Sequence, residues 1–183
     1  GNLESFVMEP KGGVVVVSTR ASEEGKSKGD RQYFIEGSKG VFFQAPYMSV
    51  DLGRVAMTIT APVQGADGLL LGVVGARISL DAITQIVQRR SGVRNTDDYY
   101  LVNRDRIFVS QPRLLAEPVV LAKRADTEAA QRVTAQQSGI VIQEDYREIP
   151  PISVYRWMPA RQLGLILTLT QDEAFAPIRQ FGI

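Results

Sequence analysis

The sequence predicts an α+β fold built from two tandem domains of the same type. Short apolar segments with strand-like alternation are joined by tight polar turns, and the order strand, turn, strand, helix occurs twice along the 183 residues. Each copy is roughly 80 to 90 residues long, which is the length of a small domain. Because the connections are hairpins, we expect mostly antiparallel strands in each domain.

The first copy opens with a β-hairpin. Apolar residues predict strands over residues 3–9 and 14–18, separated by a glycine-rich turn. A short helix over residues 30–37 follows, with Asp30 as its N-cap and Gly37 at its end. The rest of this copy consists of a strand over 54–63, a turn at 66–68, a strand over 69–79 and a helix that begins at residue 80.

The second copy repeats that order. A hairpin is predicted from strands over residues 99–103 and 107–110. A helix over residues 127–137, closed by Gly139, has few apolar residues, so we expect it to lie on the surface. The copy ends with a strand over 151–159, a turn at 161–162, a strand over 163–170 and a helix over 172–178. Trp157, in the first of these strands, is expected in the core.

The helix that begins at residue 80 connects the two copies. Ser79 is its predicted N-cap, and its last turn is basic and followed by glycine. Its apolar face consists of Leu80, Ile83, Ile86 and Val87. We therefore place the domain boundary at Ser91–Gly92, which gives domains over residues 1–91 and 92–183.

The composition excludes several classes of function. The chain contains no histidine and no cysteine, which removes Ser-His and Cys-His nucleophiles, thiolate chemistry and disulfides. Its 21 basic and 20 acidic residues are scattered, so nucleic acid is not an expected partner. The adjacent acidic residues at 97–98 and 144–145 are expected to be solvated rather than to bind a cation. We expect no catalytic residues, no metal site and no cofactor, and the longest apolar runs are shorter than the roughly 18 residues of a membrane helix.

Four segments carry a resemblance to a known family. They are VVVVSTRASEEGKSKGDRQYF (14–34), APYMSVDLGRVAMTITAPV (45–63), GLLLGVVGARISLDAI (68–83) and YYLVNRDRIFVS (99–110). In this order they resemble the double Cache domain, the extracytoplasmic sensor module of bacterial and archaeal chemoreceptors, histidine kinases and diguanylate cyclases. The resemblance implies a long N-terminal helix, then a membrane-distal and a membrane-proximal PAS-like domain, each an antiparallel sheet with flanking helices.

The resemblance also carries expectations about assembly. The long N-terminal helix of the family, along which its members form parallel dimers, is absent from this sequence. We therefore expect the isolated chain to be a monomer or weak dimer, and the full-length protein to be a membrane-anchored homodimer. The C-terminal segment TQDEAFAPIRQFGI resembles the family's exit helix toward a second membrane span.

The resemblance implies a ligand site in the first domain. In amino-acid-sensing members an Arg-x-Trp-Tyr segment binds the ligand carboxylate, and the corresponding residues here are Arg31, Tyr33 and Phe34. Tyr47 matches a second aromatic position of that pocket, and Ser49 stands where an acidic residue is common.

Arg77 determines the predicted ligand. In the family an aspartate at the corresponding position receives the ligand's ammonium group. Alternation along the strand places Arg77 on the same face as Leu71, Val73 and Gly75, which is otherwise an interior face. A cation there would repel an ammonium group by about 4 kcal/mol at about 4 Å in an effective dielectric of about 20. The predicted ligand is therefore a mono- or dicarboxylate, with Arg31 and Arg77 holding the carboxylates.

Arg77 also has a purely structural interpretation. An internal ion pair of Arg77 with Asp51, Glu36 or Asp30 is the main alternative, and a different strand register would leave Arg77 exposed.

The neighbouring residues have alternatives of the same kind. Arg31 has a solvated position as its alternative, and Tyr33 and Phe34 have core packing. Lys26 and Lys28, in the loop before the short helix, are expected to be solvated.

The sequence thus favours an extracytoplasmic sensor domain over an enzyme. Its predicted function is to bind a small anionic metabolite in the first domain of a transmembrane receptor, whose output is kinase, cyclase or chemotaxis signalling. The alternative is a module of the same fold that binds no small molecule and instead mediates dimerisation or partner-protein binding. An open pocket with convergent donors favours the first of these, and full internal neutralisation of the arginines favours the second.

Overall fold

The computed structural model describes residues 2–89 and 94–180. It divides into two compact units, the first ending at Ala82 and the second beginning at Ile83. Each unit contains one antiparallel sheet with a helix packed on it, so the predicted tandem α+β architecture is confirmed. The proposed domain boundary at Ser91–Gly92 lies outside the described residues, and the division itself falls within a helix.

The first unit has a five-stranded sheet in the order β2-β1-β5-β4-β3, with all neighbours antiparallel. Its elements are β1 (Asn2–Met8), β2 (Val15–Ser18), α1 (Gln32–Gly37), β3 (Phe42–Ser49), β4 (Arg54–Gln64) and β5 (Leu70–Ser79). The predicted hairpin and the strand pair 54–63 and 69–79 are confirmed. The sequence analysis did not identify β3, because Pro46 and an irregular register between Gln44 and Tyr47 interrupt its alternation.

Helix α1 packs on β3 and β4. The prediction of Asp30 as its N-cap is wrong, since the helix begins after Arg31 and no side chain caps it. Gly37 ends the helix as predicted, and there it lies so close to the sheet that a Cβ would be 2.6 Å from Thr60 Cβ. Thr60 Oγ1 also donates a hydrogen bond of 2.6 Å to the carbonyl of Tyr33, which fixes α1 against β4.

Beneath α1 the first unit has a small core made of Phe6, Met8, Val15, Tyr33, Phe34 and Val73. Along β5 the predicted inward face is confirmed for Val73, Gly75 and Arg77, which are all buried. Leu71, at the start of the strand, is 57% exposed. The inward face of β5 therefore leads from the apolar core to the charge of Arg77.

The second unit has a four-stranded sheet in the order β6-β9-β8-β7. Its elements, with the helix that spans the division, are α2 (Leu80–Gln88), β6 (Asp98–Val102), α3 (Glu128–Thr134), β7 (Ser138–Ile142), β8 (Ile152–Met158), β9 (Leu163–Leu169) and α4 (Gln171–Gln180). The predicted strand at 107–110 is wrong, because this segment forms only isolated bridges, Val102 with Phe108 and Ile107 with Arg124. Trp157 is in the core as predicted, 5% exposed.

Two expectations of exposure in the second unit are wrong. Helix α3 is packed against the sheet, because its small residues Ala129, Ala130 and Val133 allow a close approach and are at most 3% exposed. Asp97, Asp98 and Asp145 are 4%, 0% and 8% exposed and are not solvated, whereas Glu144 is exposed as expected. Backbone amides and side chains of the same unit bond to the three buried carboxylates, which is what makes their burial tolerable.

The two longer helices follow their strands directly. The Ser79 hydroxyl accepts a 3.1 Å hydrogen bond from the amide of Ala82, so the predicted N-cap of α2 is confirmed. Its predicted apolar face is covered at Leu80, whereas Ile86 is 62% exposed. Helix α4 contains Pro177. Within the two described ranges, no helix has both the length and the apolar content of a membrane span.

Candidate ligand site in the first unit

A cavity of about 110 Å³ lies between α1, β3, the loop after β3 and β5. It is lined by Arg31, Gln32, Tyr33, Gln44, Tyr47, Met48, Ser49, Val50, Asp51 and Arg77. Five of the six predicted site residues are thus brought together around one space. Drug-sized ligands occupy pockets of roughly 300 Å³ and more, so this volume suits a small metabolite.

Phe34 is the sixth predicted site residue, and the structure places it in the core. It is 7% exposed, packs with the cluster that contains Phe6 and Val73, and is not among the residues that line the cavity. Consecutive helical residues point about 100° apart, so α1 cannot direct both Tyr33 and Phe34 at the same space. Tyr33 is both a core residue and a wall of the cavity.

Arg77 lies in the middle of a buried ion-pair cluster. Its side chain is 3% exposed, and its Nη1 is 2.8 Å from Glu4 Oε2. Its Nη2 is 3.4 Å from Asp51 Oδ2. Glu4 lies directly opposite Arg77 in the register of β1 and β5 and is 2% exposed. Arg77 therefore forms the internal ion pair that was the main alternative to ligand binding. Asp51 is one of its three predicted partners, and Glu4 is a partner that was not predicted.

Aromatic rings complete the surroundings of Arg77. The guanidinium lies 5.5 Å from the ring centroid of Phe6 and 5.8 Å from that of Tyr33, and Nη2 donates a 3.1 Å hydrogen bond to the Tyr33 hydroxyl. Burial lowers the pKa of Arg77, but Tyr47, Tyr33 and Glu4 raise it by more, so it lies above the usual range. Arg77 is charged at physiological pH, and two carboxylates offset that charge. The repulsion of an ammonium group is therefore weaker than an unpaired Arg77 would exert.

Lys28 joins the same cluster, so the expectation that it is solvated is wrong. Its side chain is 6% exposed, with Nζ 2.8 Å from Asp51 Oδ2 and 3.0 Å from Glu23 Oε2. The hydrogen bond from Lys28 is the main cause that lowers the pKa of Asp51, and burial opposes it. Lys26 stays at the surface with its side chain 52% exposed, 2.7 Å from Glu23. Asp51 therefore faces the cavity between two cations.

Arg31 lines the cavity from the start of α1. Its side chain is 57% exposed, and its contact with Asp30 is long, 3.6 Å, to a carboxylate that is itself 76% exposed. Exposed ion pairs of this kind contribute about 0–1 kcal/mol, so Asp30 competes weakly for the guanidinium. Arg31 is therefore the cation of the cavity that an incoming anion engages most readily.

Hydroxyl groups line the same space. Tyr47 Oη and Thr58 Oγ1 are 2.8 Å apart, and Thr58 lies beside Arg77 in the register of β4 and β5. Ser49 is 2% exposed. Burial raises the pKa of Tyr33, so its phenol remains a neutral donor at physiological pH. These groups can donate hydrogen bonds to an oxygen-rich ligand.

Two buried polar atoms of the cavity-lining residues have no hydrogen-bond partner, Gln44 Oε1 and Arg77 Nε. Leaving such a group unsatisfied costs about 1–3 kcal/mol, so native proteins rarely do so without a reason. The Gln44 amide can present either its oxygen or its NH₂ group by a turn of the side chain. Both residues line the cavity, so a polar molecule bound there would offer partners to this acceptor and this donor.

Two residues of the site, Glu4 and Gln44, were not predicted from the sequence. Glu4, Phe6 and Met8 alternate along β1 and are all buried, so a carboxylate at an inward position of a strand was the signal for Glu4. The same signal had identified Arg77. For Gln44 the signal was weaker, since β3 itself was not predicted. Among residues 2–89 and 94–180, no three potential metal ligands converge, so the residues described give no metal centre.

The chain is similar to a curated chemotaxis protein. No protein-family profile matches the chain. The methyl-accepting chemotaxis protein PscA of Pseudomonas syringae pv. tomato is 26% identical over 153 residues, which cover 80% of this chain and 23% of that protein. The chain thus spans about a quarter of the length of this relative.

Solved structures match the chain over most of its length. An extracellular ligand-binding receptor from Desulfohalobium retbaense has a TM-score of 0.69 at 17% identity and covers 91% of this chain and 30% of that one. The ligand-binding domain of the chemoreceptor PctB from Pseudomonas aeruginosa, solved with L-Arg, has a TM-score of 0.62 at 15% identity over 98% of this chain and 70% of that one. That of CtaA from Pseudomonas fluorescens, solved with L-isoleucine, has a TM-score of 0.61 at 16% identity over 96% and 72%.

The chain has the fold of a double Cache domain. The resemblance stated from the four sequence segments is confirmed at the level of the fold. The same fold occurs in the extracellular domain of a histidine kinase, with a TM-score of 0.59, and in the periplasmic sensory domain of the Campylobacter jejuni chemoreceptor Tlp1, with a TM-score of 0.54. Identities of 15% to 17% establish the fold only, and the chemistry of the cavity follows from the residues that line it.

Proposed function

We propose that the chain is the extracytoplasmic ligand-sensing domain of a transmembrane signal-transduction receptor, and that its first unit binds a small carboxylate. The observation that carries this proposal is the cavity of the first unit, where Gln44 and Arg77 each have a buried polar atom without a partner. A ligand that binds one signalling state better than another shifts the equilibrium between them by that difference in affinity.

The carboxylate assignment rests on the donors of the cavity. Arg31 has only an exposed, weakly competing partner, and its planar fork suits a bidentate contact with a carboxylate. The phenols of Tyr33 and Tyr47 supply further donors, and Arg77, which also lines the cavity, has an Nε without a hydrogen-bond partner. A second carboxylate on the ligand would meet Arg77 in competition with Glu4 and Asp51. We therefore favour a ligand with at least one carboxylate.

An amino acid is the second candidate, and Asp51 favours it. Its carboxylate lines the cavity and accepts from Lys28 and Arg77, which leaves acceptor capacity for an ammonium group. The solved relatives CtaA and PctB hold L-isoleucine and L-Arg, respectively. On this alternative Arg31 binds the α-carboxylate and Asp51 binds the α-ammonium group.

The test is a thermal-shift and calorimetric screen of the wild-type chain against mono- and dicarboxylates, amino acids, their 2-hydroxy-acid analogues, polyamines and purines. The Arg31→Ala variant is expected to bind the carboxylate about 10- to 100-fold more weakly, the loss of a charge-assisted hydrogen bond of about 1.5–3 kcal/mol. Lys39→Ala is the matched control, because Lys39 is 64% exposed, pairs with Glu36 and does not line the cavity. It is expected to bind like the wild type.

Three outcomes separate the candidates. A hydroxy acid that binds as tightly as its amino acid, with no loss in Asp51→Asn, supports the carboxylate assignment. Binding of the amino acid alone, abolished by Asp51→Asn, contradicts the carboxylate assignment and leaves the sensor role standing. A lack of binding by every compound contradicts both and favours a module that mediates dimerisation or partner-protein binding.

The cellular context is part of the proposal. The relative PscA is a methyl-accepting chemotaxis protein much longer than this chain, which favours chemotaxis signalling over kinase or cyclase output. We propose that the full-length protein is a membrane-anchored homodimer with this domain on the periplasmic side, and that the isolated chain is a monomer or weak dimer. Sedimentation equilibrium over a range of concentrations tests the last point, and a dimer that persists on dilution contradicts it.

A further inference from the structure

The two units place buried polar residues at the same point of their sheets. One row crosses the three adjacent strands β1, β5 and β4 in the first unit, and another crosses β6, β9 and β8 in the second. The rows are Glu4, Arg77 and Thr58 in the first unit and Asp98, Thr168 and Ser153 in the second. All of these residues are at most 3% exposed. In each sheet the row begins with a carboxylate.

Neighbouring features fix this correspondence. Arg77 and Thr168 stand at the same spacing before the first residues of α2 and α4. In the next row toward the core, Phe6 of β1 corresponds to Tyr100 of β6, so an aromatic ring follows the carboxylate in both units. The second unit therefore has a counterpart of the place where the ligand cavity lies in the first.

In both units the loop between the edge strand and its neighbour places a charged side chain next to this row. The loop between β3 and β4 brings Asp51 to Arg77, 3.4 Å away. The loop between β7 and β8 brings Arg147, whose Nη2 donates to Thr168 Oγ1 at 3.2 Å. The side chains that the two loops contribute have opposite charges. The loop of the first unit contributes a carboxylate, Asp51, to a row that contains a cation. The loop of the second unit contributes a guanidinium, Arg147.

All three nitrogen atoms of the Arg147 guanidinium donate hydrogen bonds. Its Nε donates to Asp145 Oδ2 at 2.8 Å, and its Nη1 donates to the carbonyl of Thr96 at 3.1 Å. The guanidinium lies 5.5 Å from the ring centroid of Tyr146. The side chain of Arg147 is 13% exposed and that of Asp145 is 2% exposed. A planar cation is thus bound by a buried carboxylate, a carbonyl, a hydroxyl and an aromatic face.

Tyr146 fills the space beside Arg147. Its hydroxyl donates a short hydrogen bond to Asp98, and its ring packs edge-on against Tyr100, with centroids 5.7 Å apart. Burial, and then the bond to Asp98, raise the pKa of Tyr146, so its phenol donates at physiological pH. The amide of Arg113 also donates to Asp98, at 2.8 Å. Asp98 is therefore satisfied without the guanidinium, and Asp145 is the carboxylate that binds it.

We propose that the second unit contains a guanidinium-binding site, in the position that corresponds to the ligand cavity of the first unit, and that the chain's own Arg147 occupies it. The recognising groups are the Asp145 carboxylate, the Thr96 carbonyl, the Thr168 hydroxyl and the ring of Tyr146. Small alkylguanidinium ions have the shape and charge that these groups accept. While Arg147 is in place, this site is closed to a free ligand. The proposal goes beyond the ligand-sensing function and does not depend on it.

The test is rescue of an Arg147→Ala variant by ethylguanidinium, measured by thermal unfolding. Removal of the side chain leaves Asp145 buried without its cation, so the variant is expected to melt at a lower temperature than the wild type. Low-millimolar ethylguanidinium is expected to raise that melting temperature in a saturable manner. Ethylammonium at the same concentration is expected to do less, because a point charge cannot reproduce the planar fork. If the purified variant is unfolded, the readout is recovery of a cooperative transition on adding ethylguanidinium.

Matched variants separate binding from a general salt effect. Arg132→Ala removes a partly exposed arginine of the same unit that pairs with Glu128, and it is expected to show no rescue. Arg147→Ala combined with Asp145→Asn is expected to lose the rescue seen in Arg147→Ala alone. Absence of a saturable rise in Arg147→Ala, or an equal rise in the wild type or in Arg132→Ala, would overturn the proposal. None of these outcomes depends on whether the first unit binds a carboxylate.

Discussion

At the scale of single residues, the buried charges of the first unit are stable only as a set. Arg77 and Glu4 are each almost fully buried, and taking either ion out of water costs several kcal/mol. Their mutual attraction, with the contacts from Asp51 and Tyr33, offsets that cost. Removing one member therefore does more harm than removing the pair.

We predict that Arg77→Met destabilises the chain by about 3–5 kcal/mol, because the buried Glu4 carboxylate loses its cation and keeps neutral partners such as the Ser18 hydroxyl, which donates to it at 2.8 Å. The double variant Arg77→Met with Glu4→Leu is expected to recover most of that loss, since Asp51 retains Lys28. Urea unfolding of the wild type, both single variants and the double variant gives the coupling energy. Additive losses in the double variant would show that the pair is not coupled.

The carboxylate of Asp51 makes the free energy of unfolding of the chain depend on pH in the acid range. Its pKa is lowered from the ordinary value of 3.8, chiefly by the hydrogen bond from Lys28. The ionised Asp51 stabilises the fold fully at a pH above the pKa that this carboxyl has in the unfolded chain. That stabilisation is lost as the pH falls through the lower pKa of the folded chain, so the loss lies below pH 3.8. We predict a smaller loss of stability in Asp51→Asn than in the wild type between about pH 5 and about pH 2.5, measured by denaturant unfolding. Equal slopes in the two proteins would contradict this assignment.

At the scale of elements, the position of α1 shapes the ligand cavity. The helix carries Tyr33 on its first turn, and the absence of a side chain at Gly37 lets its last turn approach Thr60 of β4. A Cβ at Gly37 would lie 2.6 Å from Thr60 Cβ and 3.2 Å from Val73. The backbone of α1 therefore cannot stay in place if this position has a side chain.

We predict that Gly37→Ala destabilises the first unit by about 1–3 kcal/mol through overpacking. Gly40→Ala is the matched control, because a Cβ there meets nothing within 4 Å. It is expected to be neutral or to stabilise by up to about 1 kcal/mol through the unfolded chain. Thermal unfolding of both variants makes the comparison. A Gly37→Ala variant as stable as Gly40→Ala would show that α1 can move away from β4 at no cost.

At the scale of the whole molecule, two units of the same architecture use the same place differently. The first unit leaves a cavity with unpartnered polar atoms beside Arg77. The second fills the corresponding place with Tyr146 and Arg147. The difference comes from the loop that follows the edge strand of each sheet, which is short between β3 and β4 and longer between β7 and β8.

We therefore predict that a ligand protects only the first unit in hydrogen-exchange mass spectrometry. Slower exchange is expected in α1 and in the segment from Gln44 to Asp51, because these carry most of the cavity wall. The segment from Asp145 to Arg147 is expected to exchange at the same rate with and without ligand. Protection of that segment at least as strong as in α1 would contradict the assignment of the ligand site to the first unit.

The sequence predicted the elements whose signals are local. The hairpin of the first unit, the strand pairs before α2 and α4, and the Ser79 cap were found because alternation, turn residues and capping depend on neighbours in the chain. The errors occur where distant residues decide the outcome. Lys28 and Asp98 were predicted to be solvated, and only their partners from other segments, such as Asp51 and Tyr146, account for their burial.

The sequence by itself determined the fold class and the inward position of Arg77, because a strand's two faces follow from its period of two. It also predicted five of the ten residues that line the cavity, from their positions in segments that resemble the double Cache domain. Only the tertiary structure decided which charges meet. Glu4 is far from Arg77 in sequence and reaches it through the pairing of β1 with β5, and Arg147 reaches Thr168 through a loop whose path no local pattern fixes. Charge pairing across a sheet depends on register and loop geometry, which are set by the packing of the whole unit.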